Sequence, residues 1–354
     1  MKTILLYFLI FLALASCKEK DDMTPAVEQA EFPQGIFVVN EGLFQSGTGS
    51  ITYFNTERGE TWVNVFSEVN QRPLGNVVQS MAIHHNKAYI VVNNAGKAEV
   101  VNLEDFKSEG AIDGLVLPRV FLGISNDKGY ISQWGAGGMN GSVQVVNLET
   151  MQVEKSVSAG SGTDYLMMHN NHVLALNGGG FGNDSTMTVI DPETDAVLQT
   201  IQLQPNPRSA VTDNDGKLWI LCGGRYDFMD PDKDSPGHLL RLHPQTYVIE
   251  LDLEFPSQKI HPDKLVMNKA GDEMYFLYGS GIYSHPVSGT NLDLQPLVNR
   301  TFYSLGYDRV SETITAADAG DFISKGWVIR YLETGSVLDS FKAGVIPVNF
   351  VFNY

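Results

Sequence analysis

Asp230-Pro231-Asp232-Lys233-Asp234 sets three carboxylates at alternating positions, the way a calcium-binding loop begins. Ser235 stands where such a loop needs its turn glycine and Arg241 where it needs a bidentate Glu, which excludes an EF-hand. Asp230, Asp232 and Asp234 remain candidates for a different calcium site of hard oxygen ligands. His169-Asn170-Asn171-His172 spans a hairpin turn rather than a helix face, so its spacing does not point to zinc. Cys222 follows Trp219-Ile220-Leu221 on a strand and reads as a buried, inert thiol. Nucleophilic-elbow, zinc-helix and phosphate-loop motifs do not occur, and the glycine clusters lie between strands rather than at helix starts. No catalytic residue is assigned, and no cofactor is required by anything in the chain.

A second set of residues has the chemistry of binding. Asn40, Glu41 and Phe44, then Asn93 and Asn94, Trp134, Asn177 and Phe181, Arg225 and Tyr226, Tyr278, and Asp318 with Asp321 all follow short apolar runs. Gln79, Arg119, Asp164, Tyr165, Arg208 and Tyr303 fall between the repeats described next. Arg119 and Arg208 each follow a proline, Pro118 and Pro207, whose fixed φ would help to aim the guanidinium. Amides, carboxylates, guanidinia and aromatic faces together suit a broad ligand with an apolar body and a polar fringe. The plainer alternatives are that Asn and Gly serve turns, that aromatics near the axis are core, and that the arginines bridge neighbouring elements.

The elements that would position them are strands. Val78–Ile83, Lys87–Val92 and Ala98–Leu103, with Ser108–Ile112 as a fourth, form one unit broken at His85-Asn86 and Asn93-Asn94-Ala95-Gly96. Similar units follow at Tyr130–Leu148, Val173–Ile190, Leu218–Leu242 and Met274–Gly281. Their spacing is that of four-stranded propeller blades, and about seven are expected. The segment Ile36–Asn40 matches the second strand of a unit and Val345–Tyr354 the first. The fold expected is therefore an all-β, seven-bladed β-propeller closed by its C-terminal strand completing the N-terminal blade, a single domain over residues 32–354.

In this geometry the loops between second and third strands, and those between blades, converge on one mouth of the central channel. That mouth is where the candidate binding residues would meet. Composition agrees: 43% hydrophobic residues supply a core, and 34 glycines with 15 prolines belong to a chain that turns often. A formal charge of −17 repels a phosphate backbone, which excludes nucleic acid as a partner.

The first residues read as an address. Lys2 precedes the apolar run Ile4–Ala13, too short to span a bilayer as a mature helix, and Leu14-Ala15-Ser16-Cys17 has the pattern of a bacterial lipoprotein cleavage site. Residues 1–16 are expected to be a lipoprotein signal peptide, with Cys17 lipidated and residues 17–31 a tether. Membrane contact would run through that N-terminal anchor alone. With Cys17 acylated, Cys222 would have no partner for an intramolecular disulfide.

Residues 173–202, with Leu174-Ala175-Leu176-Asn177-Gly178-Gly179 and Thr188-Val189-Ile190-Asp191-Pro192-Glu193-Thr194, resemble the YVTN-type propeller repeat. Asn40-Glu41-Gly42, Gly49-Ser50-Ile51, residues 70–81 and Ala88-Tyr89-Ile90-Val91-Val92-Asn93-Asn94 resemble the surface lipoprotein propellers of Bacteroidetes. Lys18-Glu19-Lys20-Asp21-Asp22 resembles their export signal to the outer face of the outer membrane. Some members of that group capture cobalamin and pass it to a TonB-dependent outer-membrane transporter, and others have no assigned role. The resemblance implies a cell-surface, lipid-anchored, non-catalytic propeller that binds a corrinoid. A glycan or protein partner, or a lactonase-like propeller enzyme with a metal in its channel, are the other readings.

Overall fold

The computed structural model describes residues 32–354; the expected signal peptide, Cys17 and the tether lie outside the described residues. Seven antiparallel sheets make seven blades. The innermost strands run, in ring order, Pro347–Asn353, Val78–His84, Pro118–Gly123, Thr163–His169, Pro207–Thr212, Asp263–Met267 and Ser304–Asp308. Each touches the next, and the last touches the first, so the ring is closed. Closure is the expected one: Gly35–Asn40 pairs on one side with Ser50–Asn55 and on the other with the C-terminal strand Pro347–Asn353. No sheet edge is left open at the seam.

Why these segments are strands follows from their burial. The second strand of each blade packs on both faces against neighbouring blades, so it is written as a nearly continuous apolar run rather than an alternating one. Gly35–Asn40 and Leu218–Cys222 are buried at every position. The core is thus a series of wedges between blades. One joins Leu174, Leu176 and Met187 of blade 4 to Leu218, Ile220 and Leu240 of blade 5, and another joins Ile36, Val38 and Phe54 of blade 1 to Val328 and Phe341 of blade 7. Phe54 and Phe341 stack across that seam at 4.0 Å.

Turn chemistry fixes the register. At the ends of third strands, Asn55, Asn102, Asn147 and Asp191 each accept a hydrogen bond on the side chain from the backbone N–H two residues on, between 2.9 and 3.0 Å. This Asx turn is the physical content of the Asp191-Pro192-Glu193-Thr194 repeat signature. His169 pairs with His172 across a two-residue turn in which Asn170 and Asn171 both have positive φ, as expected for a hairpin.

Two features depart from seven four-stranded repeats. Blade 6 has three strands, Asp263–Met267, Glu273–Tyr278 and Gly281–Pro286. The chain that would form its fourth makes a single bridge, Ile282 with Val298, with the Leu297 N–H also donating to the Ile282 carbonyl at 2.8 Å, and Pro296 before them has no N–H to extend a ladder. Between blades 1 and 2 a short helix, Val65–Asn70, buries Val65 and Phe66, and Asn70 donates to the Phe106 carbonyl at 3.0 Å.

Candidate functional site

One backbone device recurs at the inner end of the blades. Where six of the seven innermost strands begin, all but Ser304–Asp308, the pairing with the second strand slips by a β-bulge, in Pro347–Asn353 at Val348 and in the other five between Val78 and Ser80, Pro118 and Phe121, Thr163 and Tyr165, Pro207 and Ser209, and Asp263 and Val266. A bulge leaves a residue out of the ladder and re-aims its side chain. Residues inside these bulges include Gln79, Arg119, Asp164, Arg208 and Lys264, and all five line one axial cavity. Glu41, Tyr165, Asp263 and Tyr303 complete its polar mouth, and the volume enclosed is about 770 Å³.

The residue entering the bulged strand sits in the left-handed region. Val77, Leu117, Gly162, Asn206 and Ile346 have φ between 53° and 59°. Each gives its carbonyl to the N–H that starts the loop after the second strand: Val77 to Asn93, Leu117 to Trp134, Gly162 to Gly178, Asn206 to Gly223, and Ile346 to Glu41. Inter-blade crossing and loop are thereby sewn together five times over. A β-branched side chain at φ 59° is strained, of order 1–3 kcal/mol, and Val77 is only partly buried. Val77→Gly is therefore expected to stabilise the fold by about 1 kcal/mol after glycine's own entropic cost. In a thermal melt this is a rise of about 2 °C for a domain of this size; a fall would show that no strain is held there.

Electrostatics at the mouth are mostly settled within the wall. Arg119 donates through Nε to Asp164 at 2.5 Å and through Nη1 to Gln79 at 2.6 Å, and its guanidinium lies 4.1 Å over the Trp134 ring. Arg208 reaches Asp263 at 3.3 Å. Burial works against the Asp263 charge, but Lys264 and Arg208 outweigh it and hold the carboxyl below its ordinary range. Burial pushes Glu41 up, against the pull of Arg119 and Lys264. Burial, reinforced by Glu41, also keeps the Tyr303 hydroxyl protonated. Tyr165 donates to the Ala210 carbonyl at 3.1 Å, and its hydroxyl is likewise raised by burial.

By topology, the loops after the second strands and the crossings between blades share one face. That face carries a rim of exposed apolar side chains: Phe44 at 70% exposure, Phe181 at 72%, Phe228 at 81% and Met229 at 87%, with Met139, Tyr226, Phe322 and Ile323. Trp134 is half buried, edge-on to Phe181 at 5.3 Å. A strand-edge pattern cannot predict exposure inside a loop, which is why Phe228, Met229, Phe322 and Ile323 escape a reading by repeats.

The sequence-selected residues divide accordingly. Glu41, Arg119, Tyr165, Arg208 and Tyr303 meet at the cavity, as do Gln79 and Asp164. Phe44, Phe181 and Tyr226 lie on the rim, and Asn94 and Arg225 are exposed on the same face. The others are spent on packing or hydrogen bonds within the chain. Asn40 is fully buried, its amide bonded to Ser50, Thr52 and the Gly344 N–H. Asn177 is equally buried against Thr163, Thr186 and Thr188. Asn93 donates to the Pro118 carbonyl at 2.9 Å, and Tyr278 is a core ring 4.8 Å from Phe255. Asp318 is held by Arg300, and Asp321 caps Ile323 and Ser324 within its loop.

Asp263 and Lys264 are the charged residues of the mouth that the repeat pattern misses. They occupy the place of Pro118-Arg119 and Pro207-Arg208 in the sixth repeat, where the proline, Pro262, stands one residue earlier. Asp230, Asp232 and Asp234 do not converge: Asp230 turns to Lys233, Asp232 to Lys259, and Asp234 to the Asp227 N–H and His261. Among the described residues no three His, Cys, Asp or Glu side chains are grouped to hold a metal ion. Cys222 is buried, and burial raises its thiol pKa.

Known structures share this architecture at low identity. A quinonprotein alcohol dehydrogenase-like protein from Bacteroides thetaiotaomicron superposes with a TM-score of 0.69 at 14% identity, over 92% of this chain and 79% of that one. The periplasmic gluconolactonase of Pseudomonas aeruginosa does so at 0.66 and 13%, over 90% and 99%. A protein from Lactobacillus plantarum gives 0.65 and 12%, over 91% and 99%. These likenesses concern the fold alone. No curated protein matches the chain. Residues 34–250 do match one family profile, described as a domain of unknown function, and by that match the chain belongs to the DUF5074 family.

Proposed function

We propose that the protein is a non-catalytic binding propeller that captures a corrinoid such as cobalamin on the face bearing the apolar rim. The reading extends to an anchor at Cys17 on the outer face of an outer membrane and delivery to a TonB-dependent transporter. The observation that carries it is the pairing of two surfaces on one face: a ring of exposed aromatic and thioether side chains around a mouth lined by Gln79, Arg119, Asp164 and Arg208. Monomeric proteins keep contiguous apolar surface covered unless it serves contact. A corrinoid is broad, partly apolar and fringed with amides, so it can lie on the rim while the mouth meets its fringe. A cavity of about 770 Å³ is in the range of drug-sized ligands, so the corrin ring would rest over the channel rather than enter it.

Calorimetric titration of the purified protein with cyanocobalamin tests this directly. A one-to-one isotherm at about micromolar affinity or tighter is expected, with the red colour retained through desalting. Absence of heat and colour at high ligand concentration would move the assignment to a glycan or protein partner on the same face.

A further inference from the structure

The axial cavity has a charge pattern distinct from that of the rim. Of the four cations that line it, Arg119 is matched by Asp164 and Arg208 by Asp263 within the wall, and Arg309, exposed just past the far end of its strand, donates to the Lys269 carbonyl. Two groups are left over. Glu41 receives one long hydrogen bond, from the Tyr303 hydroxyl at 3.4 Å. Lys264 has no carboxylate within ion-pair distance among the described residues, although it lies close enough to pull on the charge of Glu41.

These two enter the cavity from different blades. Glu41 is held by backbone bonds to Ile346 and Val78 on blades 1 and 2, and Lys264 is fixed at φ 58° inside the blade 6 bulge, with blade 7 between them. Below the polar mouth the wall gains apolar side chains at Val120, Val211, Val266 and Phe350, beside Thr212 and Asn349. A purely anionic guest would leave Glu41 uncompensated, and a purely cationic one would leave Lys264; an unpaired charge in a half-buried site is costly.

We propose that the axial cavity binds a small zwitterion with an apolar body, its ammonium on Glu41, its carboxylate on Lys264 and its apolar part directed down the channel. The enclosed volume exceeds what one amino acid fills, so the class that fits is a short apolar peptide with free termini. This site lies in the channel beneath the surface proposed for the corrinoid and shares its mouth, but its argument rests on Glu41 and Lys264 and not on the corrinoid reading.

The probe is the dipeptide Phe-Leu, titrated alongside its N-acetyl and C-amide derivatives. Free Phe-Leu is expected to bind, and blocking either end to weaken it by about tenfold or more. Glu41→Gln is expected to abolish the difference that acetylation makes, and Lys264→Gln the difference that amidation makes. Thermal melts of both variants report whether each still folds. Equal binding of free and blocked peptides, or no heat at about 5 mM Phe-Leu, would overturn the assignment. Because cyanocobalamin is titrated separately, a failure of one ligand is read independently of the other.

Discussion

Deleting residues 346–354 is expected to abolish the cooperative thermal transition of the protein. Those residues are the innermost strand of the first blade, paired along the whole of Gly35–Asn40. Val348 is buried, Phe350 and Phe352 pack against the seam between blades 7 and 1, and the Tyr354 hydroxyl donates to Asp308 on blade 7. Burying Val348 fully and Phe350 and Phe352 in part contributes about 4 kcal/mol, at roughly 2 kcal/mol for a fully buried side chain and about half that for each partly buried ring, a large share of the stability of an ordinary domain. Ring closure adds to this, because without it the seam wedge is opened to water on both sides. Circular dichroism melts and limited proteolysis measure the effect. A truncated chain that melted within a few degrees of the intact one would show that the seam contributes little and that the other six blades hold the ring unaided.

The triple variant Phe181→Ser, Phe228→Ser, Met229→Ser should lower cyanocobalamin affinity by about a hundredfold while leaving the melting temperature nearly unchanged. The two halves of this expectation come from the same numbers. At 72%, 81% and 87% exposure these side chains bury little on folding, so replacing them should alter stability by no more than about 0.5 kcal/mol each. Burial on binding is a different matter, since aromatic anchors in a contact surface commonly contribute about 2 kcal/mol apiece, less when they act together. Calorimetry on the folded variant separates the two. Unchanged affinity would place the corrinoid elsewhere, and a large fall in melting temperature would mean that the rim is structural packing.

Architecture was legible because the propeller writes itself in local signals. Second strands such as Lys87–Val92 and His172–Asn177 are apolar along their length, turns carry Asn, Asp or Gly, and the unit recurs at blade spacing. Ring closure was legible too, since Ile36–Asn40 lacks a preceding partner strand that only Val345–Tyr354 can supply. Blade 6 was not, because losing a fourth strand depends on Pro296 and on a chain path with no repeat to compare against.

For the site, the sequence by itself determined which residue types lie near the axis. It placed Arg119, Arg208 and Tyr303 together because they hold similar places at the start of innermost strands, and Glu41 with them because the loops after second strands open on the same mouth; all four line the cavity. Only the tertiary structure decided which way each side chain turns. Asn40 and Asn177 end second strands as suggestively as any binding residue, yet both amides are consumed by hydroxyls of adjoining strands. Lys264 carries no motif, yet a bulge turns it to the cavity. The physical reason is that a strand's sequence specifies its alternation, whereas a bulge shifts that alternation by one residue and so exchanges the faces.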